Sequence, residues 1–419
     1  MIHDSLSYSE RRAESLFIIY TEDKELIYLR TVIFGEHDEA TLRQFHNCLK
    51  TGNVVGGVLC ADGHYGYSQP VGGVVVYDGQ ISPSGVGYDI ACGNKAVKTN
   101  LKYKDIKDKL SSIMDEIEQT IPFGVGSASK KYTDHEVFSD PLWDIYKEIG
   151  THEHDQLKAL ARRQLGSTGA GNHYVDILID EKTNDVWIGN HFGSRGFGHR
   201  TATGFLNLAN NRKFSAKAPR EGMEVPPTLI DMDTELGQMY FDAMTLAGKY
   251  AYAGRDIVIG QVLNILGAKA LEEVHNHHNY AWKETHFNKE YIVVRKGATP
   301  AAPGQKGFVG GSMGDISVIL QGVDSKKSRD AFYSTIHGAG RTMSRTKAAG
   351  RWRRGRRRGG AISYDKMNQA VKAFGVELRG GGPDESPFVY RKLQEVLDAH
   401  AETINVLNVL RPVGVVMAH

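Results

Sequence analysis

The chain has 419 residues, 41% of them hydrophobic, and a formal net charge of +2. No apolar run reaches the roughly 18 residues of a membrane-spanning helix, and the polar N-terminus lacks a signal-peptide profile. We therefore predict a cytoplasmic protein that does not enter a membrane. The near-neutral charge excludes a uniformly basic nucleic-acid-binding protein, so any such affinity must come from local patches. The spacing of Cys48, Cys60 and Cys92 indicates neither a disulfide framework nor a zinc clamp.

Glycine is the compositional anomaly. The 47 glycines among 419 residues exceed the usual share of about 7%, and many stand in short clusters beside polar residues. Successive glycines allow tight turns and a close approach of the backbone to a ligand. This pattern predicts a site assembled from several tight backbone loops.

Hydrophobic periodicity predicts strands that alternate with helical regions. In the first half we predict a helix over 38–49 and buried strands over 54–59 and 71–77, with a polar loop over 61–66 between them. A strand near 94–99 follows, and then a charged helical region over about 101–165 that is broken by a flexible loop at 124–129. The first half ends with a strand over 186–189. In the second half we predict a helical region over 235–275, strands over 291–295 and 317–321, and a loop over 304–314.

No internal repeat or linker divides the chain, and the polar, site-like residues lie between strands from residue 62 to residue 345. We therefore predict one domain over 1–419, an α/β fold whose glycine-rich loops converge on a central cleft. The oligomeric state is not predicted by any pattern.

Five residues carry side chains suited to a divalent transition metal. Asp89 and Cys92 follow a glycine-rich turn, and His173, His191 and His278 stand in loops or at strand ends beside glycine or asparagine. Each alone is typical of packing or of a structural histidine, but together they form a mixed oxygen, sulfur and nitrogen donor set. This set favours manganese, cobalt or zinc over magnesium, and a thiolate can bridge two ions.

Residues 334–345 place His337 on a glycine-rich turn that is followed by Arg341 and Arg345. An imidazole beside free backbone N–H groups and guanidinium groups can bind a phosphate or attack one. As an isolated motif, it is equally typical of a turn with a structural histidine. Nearby, residues 310–314 can present N–H groups to a phosphate or a base, although they do not match the P-loop pattern.

The segment over 345–358 carries seven arginines and one lysine. Charge runs are usually solvated surfaces, but one dominated by arginine beside a candidate nucleophile favours contact with a polyphosphate backbone. Its glycines predict a mobile segment over about 345–360 rather than a firm helix.

Eight of these blocks, taken in order, resemble the RtcB family of RNA-splicing ligases, and the chain resembles a divergent bacterial-type member. The resemblance runs from about residue 52 to residue 345, with a weaker tail. The blocks are DGH (62–64), PSGVGYDIACG (83–93), GAGNH (169–173), HFGSRG (191–196), HHNY (277–280), RKGA (295–298), GSMG (311–314) and HGAGR (337–341).

The resemblance implies a single α/β fold of mixed sheets flanked by helices, two Mn²⁺ ions, for which Co²⁺ or Zn²⁺ could substitute, and GTP. It implies a GTP- and manganese-dependent ligase that joins RNA 3′-phosphate or 2′,3′-cyclic phosphate ends to 5′-hydroxyl ends through a histidine–GMP intermediate, in RNA splicing, tRNA processing or repair. An archease-type activator is a partner that the family suggests.

Site roles follow from the same resemblance. The implied metal ligands are Asp89, Cys92, His173, His191 and His278. His337 is the implied nucleophile, and Asp62 is implied to orient it. The implied nucleotide-binding residues are Asn172, His173, Tyr174, Val175, Asp176, His278, Asn279, Gly310, Gly311, Ser312, Met313, Ser317, His337, Gly338, Ala339, Gly340 and Met417. Arg195 and Arg345 are implied to contact RNA phosphates.

Four positions differ from the family pattern. Met417 stands where a lysine near the C-terminus is expected, and Asp176 replaces a glutamate that reads the guanine base. Phe192 replaces a serine, and Gly310 replaces a proline. We therefore predict that the nucleotide choice is relaxed or altered.

Two other functions remain open at this stage: a metal-dependent RNA-end phosphodiesterase or cyclic-phosphate hydrolase, and an RNA-end-binding protein that has lost ligation. The first would use the same metal ligands without forming a covalent GMP adduct. The second would bind RNA ends through residues 345–358 without turnover.

Overall fold

The computed structural model describes residues 16–20, 26–129, 131–132, 134–218, 222–353 and 356–419. The strands before residue 240 are β1 (Leu16–Tyr20), β2 (Leu26–Ile33), β3 (Val54–His64), β4 (Val71–Tyr77), β5 (Gln80–Ile81), β6 (Gly93–Lys102), β7 (Tyr174–Asp180), β8 (Asp185–Phe192) and β9 (Ile230–Asp231). The later strands are β10 (Ala270–His277), β11 (Asn279–His286), β12 (Lys289–Lys296), β13 (Ala298–Pro300), β14 (Lys306–Val309), β15 (Ser317–Gly322), β16 (Ser334–Ile336), β17 (Arg351–Arg353), β18 (Arg356–Arg358), β19 (Glu377–Arg379) and β20 (Ile404–Met417).

The helices connect these strands and cover the faces of the sheets. They are α1 (Glu39–Leu49), α2 (Pro83–Val86), α3 (Tyr103–Ile106), α4 (Leu110–Thr120), α5 (Ile145–Ile149), α6 (Thr151–Gln164), α7 (Arg195–Ala209), α8 (Glu235–Leu266), α9 (Lys326–Asp330), α10 (Arg345–Ala349), α11 (Tyr364–Ala373) and α12 (Leu393–Ala399). Short 3₁₀ turns are Lys107–Lys109, Glu136–Ser139, Pro141–Asp144, Pro383–Glu385 and Pro387–Val389.

Two mixed sheets organise the chain. The first has the order β1-β2-β3-β4-β12-β11, with β2 and β3 parallel and the other pairs antiparallel. The second has the order β10-β6-β8-β7-β20-β15-β14, all antiparallel, and β19 adds to β20 in parallel. The chain passes from the second sheet to the first at a single residue, His278, which lies between β10 and β11.

Alternate side chains of the first sheet face two different cores. Val75 and Val294 pack with the aromatic residues of α7 and α8 on one face, whereas Val74 and Val293 pack with β15 and α12 on the other. The second sheet is likewise covered on one face by α4 and α8. This burial on both faces explains the nearly continuous apolar runs of the strands. The predicted α/β class is confirmed.

Three element predictions are wrong. The loop expected over 304–314 contains the strand β14 (Lys306–Val309). The strand that we expected to end at residue 59 continues to His64, so Asp62 lies in β3 and not in a loop. The helix expected over 235–275 ends at Leu266, where Gly267 adopts a left-handed conformation with φ of 60°, and β10 follows. Because β10 pairs with β6 along its whole length, the sheet overrides the helical propensity of the Leu-Glu-Glu sequence there.

The arginine-rich segment is more regular than its glycines indicated. Its first five residues form α10, and β17 pairs with β18 in a two-stranded ribbon. Its predicted mobility stays a prediction. Within the described ranges, no helix combines the length and the apolar character needed to cross a bilayer.

Candidate active site

The ends of four antiparallel strands lie level with one another at one edge of the second sheet. His277 pairs with Gly93, Gly93 pairs with Phe192, and His191 pairs with Tyr174. Neighbouring strands run in opposite directions, so this edge collects the starts of β6 and β7 and the ends of β8 and β10. The residues at or just beyond these ends include Cys92, His173, His191 and His278. Sheet register therefore brings together residues that are distant in sequence.

Three side chains at this edge offer ligand atoms that lie within 4.8 Å of one another: Cys92, His173 and His191. The Cys92 Sγ atom is 3.4 Å from His191 Nε2 and 3.8 Å from His173 Nε2. Asp89 extends the cluster, since its Oδ2 atom is 3.0 Å from His173 Nε2. The His278 ring stacks on that of His191 at a centroid distance of 5.0 Å. All five predicted metal ligands therefore border one small volume.

Hydrogen bonds behind the cluster fix the orientation of two imidazoles. His173 Nδ1 donates to the Thr168 carbonyl at 2.9 Å, and His191 Nδ1 donates to Asn94 Oδ1 at 2.6 Å. The Asn94 amide can only accept there because its Nδ2 group donates to the Phe308 carbonyl. Both Nε2 atoms therefore face the cluster, as metal-binding histidines require, with His191 Nε2 also 3.4 Å from Asn172 Nδ2.

The electrostatics of the cluster fit a divalent cation. Burial lowers the pKa of His191 and of His278, which keeps both rings in the neutral form that ligates metals. Burial raises the pKa of the Cys92 thiol, so its thiolate needs the positive charge that a bound metal supplies. The buried Nδ1 atom of His278 has no hydrogen-bond partner among the described residues. The donor set therefore fits a thiophilic transition metal better than Mg²⁺.

His337 lies next to this cluster, directly after β16. Its ring is 4.9 Å from that of His278, measured between centroids. On its other side, His337 Nδ1 is 2.5 Å from Asp62 Oδ2, and the same oxygen accepts from the backbone N–H groups of His337 and Gly338 at 2.9 and 3.2 Å. Burial alone would raise the pKa of the fully buried Asp62, but these contacts outweigh it and lower that pKa. Asp62 thus fixes both the ring and the turn that carries it.

The five predicted metal ligands are called the metal cluster below. A cavity of about 330 Å³ borders His337 and four of these five, namely Asp89, Cys92, His191 and His278. Of the predicted nucleotide-binding residues, those that line it are Asn172, Tyr174, Asp176, His278, Asn279, Gly310, Gly311, Ser312, Met313, His337, Gly338, Ala339, Gly340 and Met417. The two glycine-rich loops meet directly, since Gly310 and Gly338 form a β-bridge. A side chain at 310 would collide with the Tyr174 hydroxyl, 2.0 Å from the ideal Cβ position. Glycine at 310 is therefore required by this tyrosine.

Three of the predicted nucleotide-binding side chains do not reach this cavity. Val175 alternates with Tyr174 and Asp176 along β7 and points into the core beneath the sheet. The Ser317 hydroxyl accepts from the Gly311 N–H at 3.3 Å and so supports the glycine-rich loop. His173 belongs to the metal cluster.

One end of the cavity is apolar, with a single buried carboxyl group. Met313, Val415 and Met417 pack together there. Asp176 lies in the same wall, and its Oδ1 atom is buried without a hydrogen-bond partner among the described residues. Burial raises the pKa of Asp176 well above its ordinary value. Burial therefore favours the neutral form of this carboxyl group over the ionised form.

The two arginines predicted to meet RNA differ in position. Arg345 lines the cavity and pairs with Asp384 at 3.1 Å and with Glu385. Arg195 is held behind the metal cluster by hydrogen bonds of 3.3 Å from its Nε to Ser167 Oγ and from its Nη2 to Ser127 Oγ. Of the two, only Arg345 borders the cavity.

Our sequence reasoning missed the acidic side of this cavity. Glu385 and Tyr390 line it, and Arg341 Nη1 donates to Tyr390 at 2.9 Å and to Glu385 at 3.3 Å. The available signal was the pair Arg341 and Arg345, four residues apart with no acidic residue between them, for which acidic partners elsewhere in the chain were to be expected. Val71 and Val415, also in the wall, carried no signal beyond their apolar character.

A family model described as tRNA-splicing ligase RtcB matches residues 44–418. The chain belongs to the RtcB family. The RNA-splicing ligase RtcB of Escherichia coli K12 is 33% identical over 379 residues, which cover 84% of this chain and 87% of the relative. The tRNA-splicing ligase RtcB of Methanococcus maripaludis is 31% identical, over 93% of this chain and 94% of the relative. The tRNA-splicing ligase RtcB of Thermococcus kodakarensis is also 31% identical, over 85% of this chain and 86% of the relative.

The match extends beyond the region that the motifs indicated, because it includes the C-terminal strand β20. The RtcB resemblance inferred from eight short blocks is thereby confirmed. The unusual positions are also accounted for structurally: Phe192 fills the core beneath the second sheet, and Met417 belongs to the apolar end of the cavity.

Proposed function

We propose that this RtcB-family chain joins RNA 3′-phosphate or 2′,3′-cyclic phosphate ends to 5′-hydroxyl ends through a GMP adduct on His337, with GTP as the nucleotide substrate. The observation that carries the proposal is the placement of His337 between the buried Asp62 carboxylate and the His278 ring of the metal cluster. A histidine that is oriented by a carboxylate beside a metal site has the geometry of an activated nucleophile.

Asp89, Cys92, His173, His191 and His278 are the residues that would hold two Mn²⁺ ions. When bound, such ions supply Lewis-acid stabilisation of negative charge on phosphate oxygens and on the leaving pyrophosphate. The side-chain set supports Mn²⁺, and Co²⁺ or Zn²⁺ would fit the same donors.

The proposed first step takes place at His337 Nε2. The close contact between His337 Nδ1 and Asp62 Oδ2 favours the tautomer with its proton on Nδ1, so the lone pair of the ring lies on Nε2. That nitrogen attacks the α-phosphorus of GTP; a P–N bond forms, the bond to the bridging oxygen breaks, and pyrophosphate leaves with the electron pair. Asp62 stabilises the positive charge that develops on the ring.

In the second step, an oxygen of the RNA 3′-phosphate attacks the phosphorus of the adduct. The P–N bond breaks, His337 recovers its lone pair, and the RNA end becomes an RNA–pp–G anhydride. In the third step, the 5′-hydroxyl attacks the RNA phosphorus, and GMP departs. A 2′,3′-cyclic phosphate must first be hydrolysed to a 3′-phosphate. Backbone N–H groups of the two glycine-rich loops are suited to hold the phosphates throughout.

The test is joining of a 3′-phosphate RNA to a 5′-hydroxyl RNA in the presence of Mn²⁺ and GTP. We expect joined RNA together with an acid-labile, alkali-stable protein–GMP adduct. A cyclic-phosphate hydrolase would open the ring without forming the adduct, and a protein that only binds RNA ends would show neither reaction. Absence of the adduct would therefore rule out the proposed mechanism.

Asp62→Asn is expected to slow formation of the adduct about 10²- to 10⁴-fold. The amide oxygen can still accept from the ring and from both backbone N–H groups, but a neutral amide does not stabilise the charge that develops on the attacking imidazole. Single-turnover labelling with GTP measures the effect. Asp180→Asn is the matched control, since Asp180 is a buried carboxylate that accepts backbone N–H groups far from this cavity.

The base-binding end of the cavity supports a relaxed nucleotide choice. A carboxylate accepts two hydrogen bonds, which suits the N1–H and N2–H donors of guanine, whereas a neutral carboxylic acid offers one donor and one acceptor, which suits the N1 and N6 edge of adenine. Asp176 is shorter than the expected glutamate, and its burial raises its pKa and so favours the neutral form. Met417 offers no charge to restore the carboxylate.

We therefore expect ATP to label His337 at a rate within about tenfold of GTP, because discrimination is lost when the complementary hydrogen bonds are absent. Labelling with each of the four α-³²P nucleoside triphosphates measures this. The double variant Asp176→Glu and Met417→Lys should shift labelling toward GTP. Labelling of the unmodified protein by GTP alone would contradict the expectation.

An archease-type activator and a cytoplasmic location are further proposals that rest on RtcB family membership. Activation should appear as an increase in turnover when an archease is added to the joining assay. Cell fractionation tests the location.

A further inference from the structure

A second cavity lies next to the first. Its volume is about 300 Å³, within the range of small-molecule sites. Asp89, Asn279 and Lys296 line both cavities, so these three residues form the wall between them. The residues that line the second cavity alone are Tyr67, Ser68, Ser84, Gly87, Tyr88 and Gly222.

Hydrogen bonds fix the wall between the cavities. Asn279 Nδ2 donates to the Asp89 carbonyl at 3.2 Å, and Asn279 Oδ1 accepts from the Gly297 N–H at 2.7 Å. The Lys296 ammonium group donates to the carbonyl oxygens of Tyr67 and Gln69. Asp89, a predicted metal ligand, borders both cavities, so a ligand in the second cavity would lie next to one residue of the metal cluster.

The lining of the second cavity combines aromatic and hydroxyl groups. Tyr67 is 58% exposed to solvent. Tyr88 stacks on His199 at a centroid distance of 5.2 Å. The hydroxyls of Ser68 and Ser84 are 3.0 Å apart and buried. Aromatic surfaces that bind bases by stacking, with hydroxyl groups beside them, are typical of sites for single-stranded nucleic acid.

The chemistry of joining requires a second approach to the same phosphorus. In phosphoryl transfer the attacking and leaving oxygens lie roughly in line, on opposite sides of the phosphorus. In the proposed mechanism the leaving group is GMP, whose guanosine occupies the first cavity beside His337. The 5′-hydroxyl must therefore arrive opposite the GMP leaving group, and the second cavity provides a separate approach that also borders Asp89.

We propose that the second cavity binds the 5′-hydroxyl end of the downstream RNA strand, with its terminal nucleotides against Tyr67 and Tyr88. This inference rests on the proposed function and adds the site of the second RNA substrate. The hydroxyl oxygen forms a bond to the RNA 3′-phosphorus, and the bond from that phosphorus to the bridging oxygen breaks. GMP leaves with the electron pair, and the hydroxyl proton passes to the solvent.

The test measures the rate of each of the three chemical steps separately in the Tyr67→Ala variant. The first two steps, formation of the GMP adduct and capping of the RNA 3′-phosphate, use no 5′-hydroxyl strand, so both should keep their wild-type rates. Joining should slow by about tenfold or more, since one base-stacking contact is lost. Capped RNA should accumulate, and the KM for the 5′-hydroxyl strand should rise.

Two further variants serve as controls. Tyr67→Phe keeps the ring and should join at the wild-type rate, because stacking needs no hydroxyl group. Tyr364→Ala removes another exposed tyrosine, 54% exposed, that lines neither cavity; it should change none of the steps. The backbone carbonyl of residue 67, to which Lys296 donates, is retained in each Tyr67 variant.

Wild-type joining by Tyr67→Ala would overturn the inference, and so would an equal loss in all three steps. Ultraviolet cross-linking of an RNA whose 5′-hydroxyl nucleotide is 4-thiouridine provides a second measurement, and the cross-link should fall in the peptide that contains Tyr67 or Tyr88. A cross-link elsewhere would also overturn it. Failure of the proposed function is distinct, since the wild-type protein would then form neither the GMP adduct nor capped RNA.

Discussion

His337→Ala is expected to abolish the covalent GMP adduct and to reduce RNA joining by about 10³-fold or more, because no other group can take the place of the nucleophile. Labelling with α-³²P GTP followed by gel electrophoresis measures the adduct, and a joining assay with 3′-phosphate and 5′-hydroxyl RNA measures turnover. The ring of His337 is 4.9 Å from that of His278, so metal binding should be measured alongside.

A second variant separates loss of the nucleophile from loss of the fold. His152→Ala removes an exposed histidine of α6, remote from the cavity, and should retain both labelling and joining. A pre-formed RNA–pp–G substrate bypasses the first two steps, so His337→Ala should still join it to a 5′-hydroxyl strand. If His337→Ala forms the adduct from GTP, another residue is the nucleophile and the proposal is wrong.

Cys92→Ala is expected to weaken Mn²⁺ binding by about 100-fold or more and to abolish joining, since it removes the one thiolate that lies within reach of both His173 and His191. Substitution with Co²⁺ gives a direct readout, because thiolate coordination produces a charge-transfer absorption band in the near ultraviolet. That band should be present in the wild-type protein and absent from Cys92→Ala.

Cys48→Ala is the matched control for this experiment. Cys48 is also fully buried, but it lies in α1 and has no contact with the metal cluster. Both variants lose one sulfur atom from a buried position, so their free energies of unfolding without metal should fall by similar amounts. Only Cys92→Ala should also lose the increase in unfolding temperature that Mn²⁺ produces in the wild-type protein. Retention of the Co²⁺–thiolate band in Cys92→Ala would contradict the assignment.

The site was more predictable than some element boundaries. The candidate metal-ligand positions were predicted from residue types that together form a mixed donor set, and the structure brings Asp89, Cys92, His173, His191 and His278 together. Their convergence depends on the register of β6, β7, β8 and β10, which no local pattern specifies. Motif order predicted that convergence only through the resemblance to known ligases.

Boundaries failed where tertiary pairing opposes local propensity. Strand β10 includes Leu271, Glu272 and Glu273, which are good helix formers, and two of these three are exposed. The segment therefore shows neither the alternating hydrophobic pattern of a strand nor the hydrophobic pattern of an amphipathic helix. Asp62 lies in β3, which continues through Cys60, Ala61 and Asp62 because pairing with β4 resumes at His64. Glu385 was missed because its partners, Arg341 and Arg345, are brought to it only by the folded chain.

The strand β20 has consequences for how the protein folds. Its 14 residues lie between β7 and β15 in the second sheet. During translation, β7 is synthesised long before β20, the strand with which it pairs. Until β20 is inserted, two sheet edges remain unpaired, and such edges favour aggregation and slow folding. Val415 and Met417 of β20 also form part of the first cavity. The wall of this cavity is therefore incomplete in a nascent chain, and it is finished in the same event that closes the sheet.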